Sequence, residues 1–242
     1  MLQLPPQRFR AQLQELLAAG FRFMTVAELA LMADGREPPP GIAVVSFDDA
    51  MRNNVTTALP ILRELGIRAT VYVPTGWLGG RSPWIGPGGD GAIMTPDELR
   101  ELAAAGWELG AHTLGHVDLS QLDYAAARRE IEGSVTALAQ LSQTEVRTLA
   151  YPFGYYGPAA IAAARDSGLL AAVTTGSGKW DRYELTRAMI GPADPFPITW
   201  LKLTDRYEPL LASRPMRFVR RATKELRGRV NARRSGDAPP TP

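Results

Sequence analysis

Ile42-Ala43-Val44-Val45-Ser46-Phe47-Asp48-Asp49-Ala50 is an apolar run that ends in two adjacent carboxylates. Short, rich in β-branched residues and preceded by Pro38-Pro39-Pro40-Gly41, it reads as a buried strand entering after a turn. Neighbouring side chains on a strand point to opposite faces, and two carboxylates side by side repel unless a cation or a shared proton stabilises them. Two readings of the strand tip follow. Either one aspartate caps a helix beginning near Met51-Arg52-Asn53 while the other is solvated, or the pair attends a metal.

Working outward, helical and strand signals alternate along the chain. Phe9, Leu13, Leu16 and Leu17 lie at helical spacing before Gly20, and Thr25 with Glu28 forms a capping box for a helix over 26–32. After the aspartates, Val55, Leu59, Leu62 and Leu65 continue a helical stripe to Gly66, and residues 69–74 read as a strand. Residues 76–92 form a long loop rich in Gly, Pro and Trp, of the kind that lines a site. Thr95-Pro96-Asp97-Glu98 opens a helix ending at Gly106. A short strand, 107–112, follows, then a long helix over 121–143, a strand over 147–151, a helix over 158–167, a strand over 170–175 and a last strand over 184–190. Such alternation implies parallel pairing through right-handed crossovers, in a barrel or barrel-like sheet with its site at the C-terminal strand ends.

At 242 residues the chain is long enough for one large domain. It has no cysteine, so thiolate nucleophiles, disulfides and thiolate metal sites are excluded, and any metal must bind through His and carboxylate. No apolar run approaches the roughly 20 residues of a transmembrane helix, and the N-terminus lacks a basic-then-apolar leader, so the expected location is cytoplasmic or peripheral to a membrane. Charge is uneven. Residues 214–242 hold nine Lys/Arg and two acids, net +7, while the preceding residues hold 18 Lys/Arg and 23 acids, net −5. Val219, Ala222, Leu226 and Val230 form an apolar stripe within that basic segment, compatible with a helix that touches anionic lipid. The division expected is a catalytic domain over 1–213 and a basic helix with a disordered tail over 214–242, with no nucleic-acid partner.

Both histidines of the chain lie in His112-Thr113-Leu114-Gly115-His116, four residues apart. Imidazoles at that spacing can converge on one metal from a turn, and Thr113 excludes the metalloprotease motif, which needs Glu there. The pair and the aspartates both fall at predicted strand ends. One Asp and two His supply three protein ligands and leave room for water and a substrate oxygen, with the second Asp free to act as a base.

With these residues in place, the chain resembles the polysaccharide deacetylase, or NodB-homology, family of carbohydrate esterases. Ser46-Phe47-Asp48-Asp49-Ala50 is similar to its first motif, which usually ends in Gly. His112 to His116 matches the second, and Leu149-Ala150-Tyr151-Pro152-Phe153-Gly154 is similar to the third; Ala58–Leu62 and Ala69–Val73 match between them, so the likeness covers roughly residues 7–190. The resemblance implies an α/β fold, a distorted (β/α) barrel of that type in a single domain. It also implies a hydrolase that removes acetyl groups, N-acetyl in preference to O-acetyl, from a polysaccharide, oligosaccharide or glycolipid sugar. Asp48 is then the base that activates a metal-bound water. Asp49, His112 and His116 hold a divalent metal, Zn2+ in the first instance. Phe153, Tyr151, Pro152 and Arg187 stabilise the oxyanion or position the substrate, with the Phe153 N–H as the oxyanion donor.

The chain also departs from the pattern. Ala150 stands where many members have the Arg that positions the base, and without a third histidine the usual general acid has no counterpart. Arg187 near the end of the last strand can support charge, and Trp77, Trp84 and Trp180 are candidates to line a sugar site. The family strand upstream of the Phe9 helix is missing, which predicts a truncated start or an opened barrel. Two alternatives stay open: a related C–N amidohydrolase acting on a small amide or ureide, and a non-catalytic glycan-binding relic of the fold.

Overall fold

The computed structural model describes residues 4–34, 36–86, 90–176, 179–191 and 193–203; the basic segment 214–242 and its expected helix lie outside them. Helix α1 (Pro6–Ala18) leads to strand β1 (Arg22–Met24), helix α2 (Val26–Ala33) and strands β2 (Ile42–Val44) and β3 (Ser46–Phe47). Then come α3 (Leu59–Glu64), β4 (Thr70–Val73), α4 (Pro96–Ala104), β5 (Glu108–Ala111) and α5 (Tyr124–Ser142). The chain continues with β6 (Thr148–Ala150), α6 (Pro158–Asp166), β7 (Ala171–Thr175), β8 (Leu185–Arg187) and α7 (Phe196–Leu203). None of these helices is long and apolar enough to cross a membrane.

Every ladder is parallel: β1 pairs with β2, and β3 to β8 form a six-stranded sheet in sequence order. The run 42–47 breaks at Val45. Its first part therefore pairs with β1 and its second with β4, and a bond from the Thr70 N–H to the Val45 carbonyl (3.0 Å) bridges the break. The result is a curled half-barrel. Among the described residues no ladder joins β8 back to β1.

Strand alternation sorts the core into two layers. Val71, Val73, Leu109, Ala111, Leu149 and Ala172 pack with Leu62, Leu99, Leu102, Ile131, Leu138 and Ala163 of helices α3 to α6. Tyr72, Ala150, Ala171, Val173 and Leu185 lie on the opposite face and pack with Val26 and Ala30 of α2. Below them is a polar layer. Glu108 accepts hydrogen bonds from the Thr70 hydroxyl (2.8 Å), the Thr148 hydroxyl (2.5 Å) and the Ala27 N–H (2.9 Å), while Thr70 Oγ1 accepts from the Val26 N–H (3.0 Å). A carboxylate at the start of α2 thus ties that helix to three strands and complements its dipole.

Three local features differ from the sequence reading. Strand β1 was not anticipated: three residues between a helix-ending Gly20 and a capping Thr25 carry too little periodicity to read. The stripe from Val55 to Leu65 is a π-helical turn, Asn54–Ala58, followed by α3, with the Leu59 N–H bonded to the Asn54 carbonyl. Pro60 is the cause, because it lacks an N–H and its ring would clash with the preceding turn of a regular helix. The last strand is also shorter than expected, at Leu185–Arg187.

Gly110 makes room for the inner layer. A Cβ there would stand 2.4 Å from Tyr72 Cε1 and 3.0 Å from Thr148 Oγ1. Gly110→Ala should therefore destabilise the fold by about 1–3 kcal/mol, the usual cost of overpacking, measured by urea unfolding. A loss below about 0.5 kcal/mol would show that the Tyr72 ring can move aside.

Candidate active site

The ends of β3, β5, β6 and β8 meet at the C-terminal edge of the sheet, as parallel α/β architecture directs. Asp49 follows β3 and His112 follows β5, with His116 one loop further on. Asp49 Oδ1 lies 3.1 Å from His116 Nε2 and 3.6 Å from His112 Nε2. Both histidines are buried, and the Asp49 side chain is 15% exposed. Burial pushes the Asp49 carboxyl up, but the two imidazoles more than offset this and hold it well below the usual carboxylate range.

The orientation of His112 is set from behind. Its Nδ1 lies 2.7 Å from the Ala150 carbonyl, and a carbonyl can only accept, so Nδ1 donates and Nε2 is the ring nitrogen turned toward Asp49. His116 Nδ1 is buried and has no hydrogen-bond partner; its ring is stacked on Trp84 instead. One ligand atom each from Asp49, His112 and His116 lies within 4.8 Å of the others. Two imidazole nitrogens and one carboxylate oxygen converging in this way fit a divalent cation of the Zn2+ kind.

Asp48 points elsewhere. Its two oxygens accept from Arg187 Nη1 (2.6 Å) and Nη2 (2.8 Å), a bidentate pair between residues 139 apart in sequence. Burial raises the Asp48 carboxyl, and the Arg187 charge and hydrogen bonds overcome it, so the group is held low and ionised. Arg187 also donates to Ser46 Oγ (3.1 Å) and the Thr174 carbonyl (3.3 Å), and its guanidinium lies 5.3 Å from the centroid of the Tyr72 ring. The Asp48 side chain remains 33% exposed, open to a reactant.

Backbone strain concentrates here. Asp49 (φ 70°), Ala50 (φ 49°), Thr113 (φ 63°), His116 (φ 56°) and Phe153 (φ 60°) are all left-handed, whereas Asp34 and Gln143, the other described non-glycine residues of this kind, are helix C-caps. Such residues cost of order 1–3 kcal/mol each unless their surroundings hold them. The His loop is held by Glu130 of α5, whose Oε2 accepts from the Leu114 and Gly115 N–H groups (3.0 Å each). From the other side, the Gly76 N–H donates to the Leu114 carbonyl (2.9 Å), and a Cβ on Gly76 would stand 2.7 Å from that oxygen.

Of the residues singled out from sequence, Asp48, Asp49, His112, His116 and Arg187 are brought together. Phe153, half exposed, sets its ring against His116 at 4.6 Å. The Tyr151 and Pro152 side chains are buried in the turn that carries Phe153; the Tyr151 hydroxyl donates to the Tyr183 carbonyl (2.9 Å) and its ring stacks on Tyr156. Trp180, partly buried, packs against the inner-layer cluster that includes Leu185 and Val26 and Ala30 of α2. Neither Glu130 nor the Trp84 stack was read from the sequence, because a Glu within a helix and a Trp within a loop carry no local sign of their distant partners.

The polysaccharide deacetylase family model matches residues 35–172. YxkH of Bacillus subtilis, named as a polysaccharide deacetylase, is 25% identical over 196 residues, 79% of this chain and 67% of that protein. The poly-β-1,6-N-acetyl-D-glucosamine N-deacetylase of Staphylococcus epidermidis is 25% identical over 67% of this chain and 58% of its own length. The structure is also similar to the Streptococcus pyogenes deacetylase PplD in complex with acetate, with a TM-score of 0.73, 25% identity and coverage of 84% of this chain and 88% of that one. With its three site motifs all inside the matched region, the chain belongs to the polysaccharide deacetylase family, hydrolases that act on the carbon–nitrogen bonds of acetylated polysaccharides.

Proposed function

We propose that this chain is an N-deacetylase of a polysaccharide, oligosaccharide or glycolipid sugar, with Asp48 as its base and Asp49, His112 and His116 as ligands of a catalytic Zn2+. The observation that carries this reading is the division of labour between the two aspartates: Asp49 faces both imidazoles, and Asp48 is turned onto Arg187 with room for a reactant. N-acetyl is favoured over O-acetyl because the Staphylococcus epidermidis relative is named for an N-acetyl substrate. When bound, the metal supplies Lewis-acid polarisation and lowers the pKa of a coordinated water.

Asp48 accepts the proton of the attacking water while the water oxygen bonds to the acetyl carbon. The charge that develops on the acetyl oxygen meets the Phe153 N–H. As the C–N bond breaks, Asp48 returns its proton to the departing amine, so one carboxyl serves in both directions. Arg187, His112, Asp49 and Tyr72 are among the charged or titratable groups around Asp48. Arg187 from β8 holds the base in place of an arginine at position 150. The proposal extends to the basic segment 214–242, whose net charge of +7 would draw the enzyme to an anionic surface, and to a catalytic unit spanning 1–213.

Two outcomes test the assignment. Asp48→Asn should keep the metal and lose roughly 10²- to 10⁴-fold in rate, while Asp49→Ala should lose metal and activity together, measured by elemental analysis and acetate release from N-acetylated glycans. The assignment fails if Asp48→Asn loses the metal and Asp49→Ala retains it. Separately, activity should fall as pH drops through the Asp48 pKa, which Arg187 holds low. In Arg187→Gln burial is opposed less, the carboxyl rises, and the acidic limb of kcat/KM should move to higher pH; an unmoved limb would remove Arg187 from the account of the base.

A further inference from the structure

The two histidines are oriented by different means. His112 is fixed by a hydrogen bond from Nδ1 to the Ala150 carbonyl. His116 has no such partner: its side chain is 3% exposed, its Nδ1 is buried without an acceptor, and its backbone sits at φ 56°. Aromatic rings surround it instead. Trp84 lies face to face with the imidazole at 3.7 Å between centroids and 17° between planes, and Phe153 meets it edge-on at 4.6 Å and 67°.

Trp84 is itself packed by a second indole. Trp77 packs edge-on against it at 5.7 Å and 87°, and the Trp77 indole N–H donates to the Gly115 carbonyl (3.1 Å), one residue before His116. Cross-strand bonds from Gly79 N–H to the Met94 carbonyl (2.8 Å), Ile93 N–H to the Gly80 carbonyl (3.0 Å) and Ser82 N–H to the Gly91 carbonyl (2.8 Å) fix the base of the loop that carries Trp84. A parallel stack at van der Waals distance resists rotation of the imidazole about its Cβ–Cγ bond. That is the constraint which a second hydrogen bond supplies to most metal-ligating histidines.

We infer that Trp84 is a positioning residue for the metal: its indole face, in place of a hydrogen bond, holds His116 in the ligating orientation. This rests on the reading of His116 as a ligand. The stack has a further consequence. An imidazole that shares charge with a cation is drawn more strongly to an indole face than a neutral one, so Trp84 favours the metal-loaded ring.

The test is metal affinity of the full chain, stripped with chelator and titrated with Zn2+ against a competing chromophoric chelator. Trp84→Leu keeps an apolar side chain but removes the aromatic face, and should weaken Zn2+ binding about 10- to 100-fold, the range seen when an outer partner of a ligand is lost. Trp84→Phe keeps a face and should lose clearly less. The Co2+-loaded Trp84→Leu protein should show an altered ligand-field spectrum, which a merely structural role would not produce. Circular dichroism of each metal-free variant checks folding, and if Trp84→Leu does not fold, Trp84→Met, which also lacks an aromatic face, takes its place, wild-type affinity and spectrum in that variant overturning the inference. Equal Zn2+ affinity and equal Co2+ spectra in folded Trp84→Leu and wild type overturn it likewise. If wild type itself binds no metal, the ligand assignment fails first, a result distinct from the loss of the Trp84 effect.

Discussion

Two adjacent carboxylates at a strand end repel each other, and the site is built to separate them. Asp49 turns toward two imidazoles through a left-handed backbone at φ 70°, while Asp48 is clamped by Arg187 across the mouth of the half-barrel. The two groups are chemically identical. Their surroundings set one against two imidazoles and the other against a guanidinium, and these hold both carboxyls low against the burial that raises them. The Asp48–Arg187 pair also ties β3 to β8, the two ends of a sheet that no ladder closes among the described residues.

That arrangement depends on what lies beneath it. Arg187 rests over the Tyr72 ring, Tyr72 fits because residue 110 has no Cβ, and the layer below is anchored by Glu108 to two strand threonines and the start of α2. A disturbance at Gly110 would therefore reach Asp48 through packing alone. The inner layer is tightly filled, and interiors of this density transmit small displacements instead of absorbing them.

The loops above the sheet carry the strain. Thr113 is β-branched and fully buried at φ 63°, a conformation such residues rarely adopt. It persists because Glu130 and the 75–77 turn hold the neighbouring peptides from both sides. Ala50, in a position that the family's first motif usually fills with Gly, adopts φ 49° with its methyl group wholly buried. The cost of these conformations is offset by the fold, and what they secure is the direction of Asp49, His112 and His116.

The sequence by itself determined the alternation of strands and helices, the parallel sheet, and the fall of the Asp pair and the His pair at strand ends. Each of these is written in local periodicity and in glycines that stop helices. It also carried the motifs that placed the chain in its family and flagged Arg187. It did not carry the break at Val45 or the three-residue β1, because strand partners are chosen in space and short segments hold almost no pattern. Nor did it show that Arg187 would grip Asp48 from 139 residues away, that Tyr151 would turn into the core, or that Trp84 would lie on His116. Those are decided by tertiary structure, since hydrogen-bond direction and ring stacking depend on the relative placement of elements that are distant in the chain.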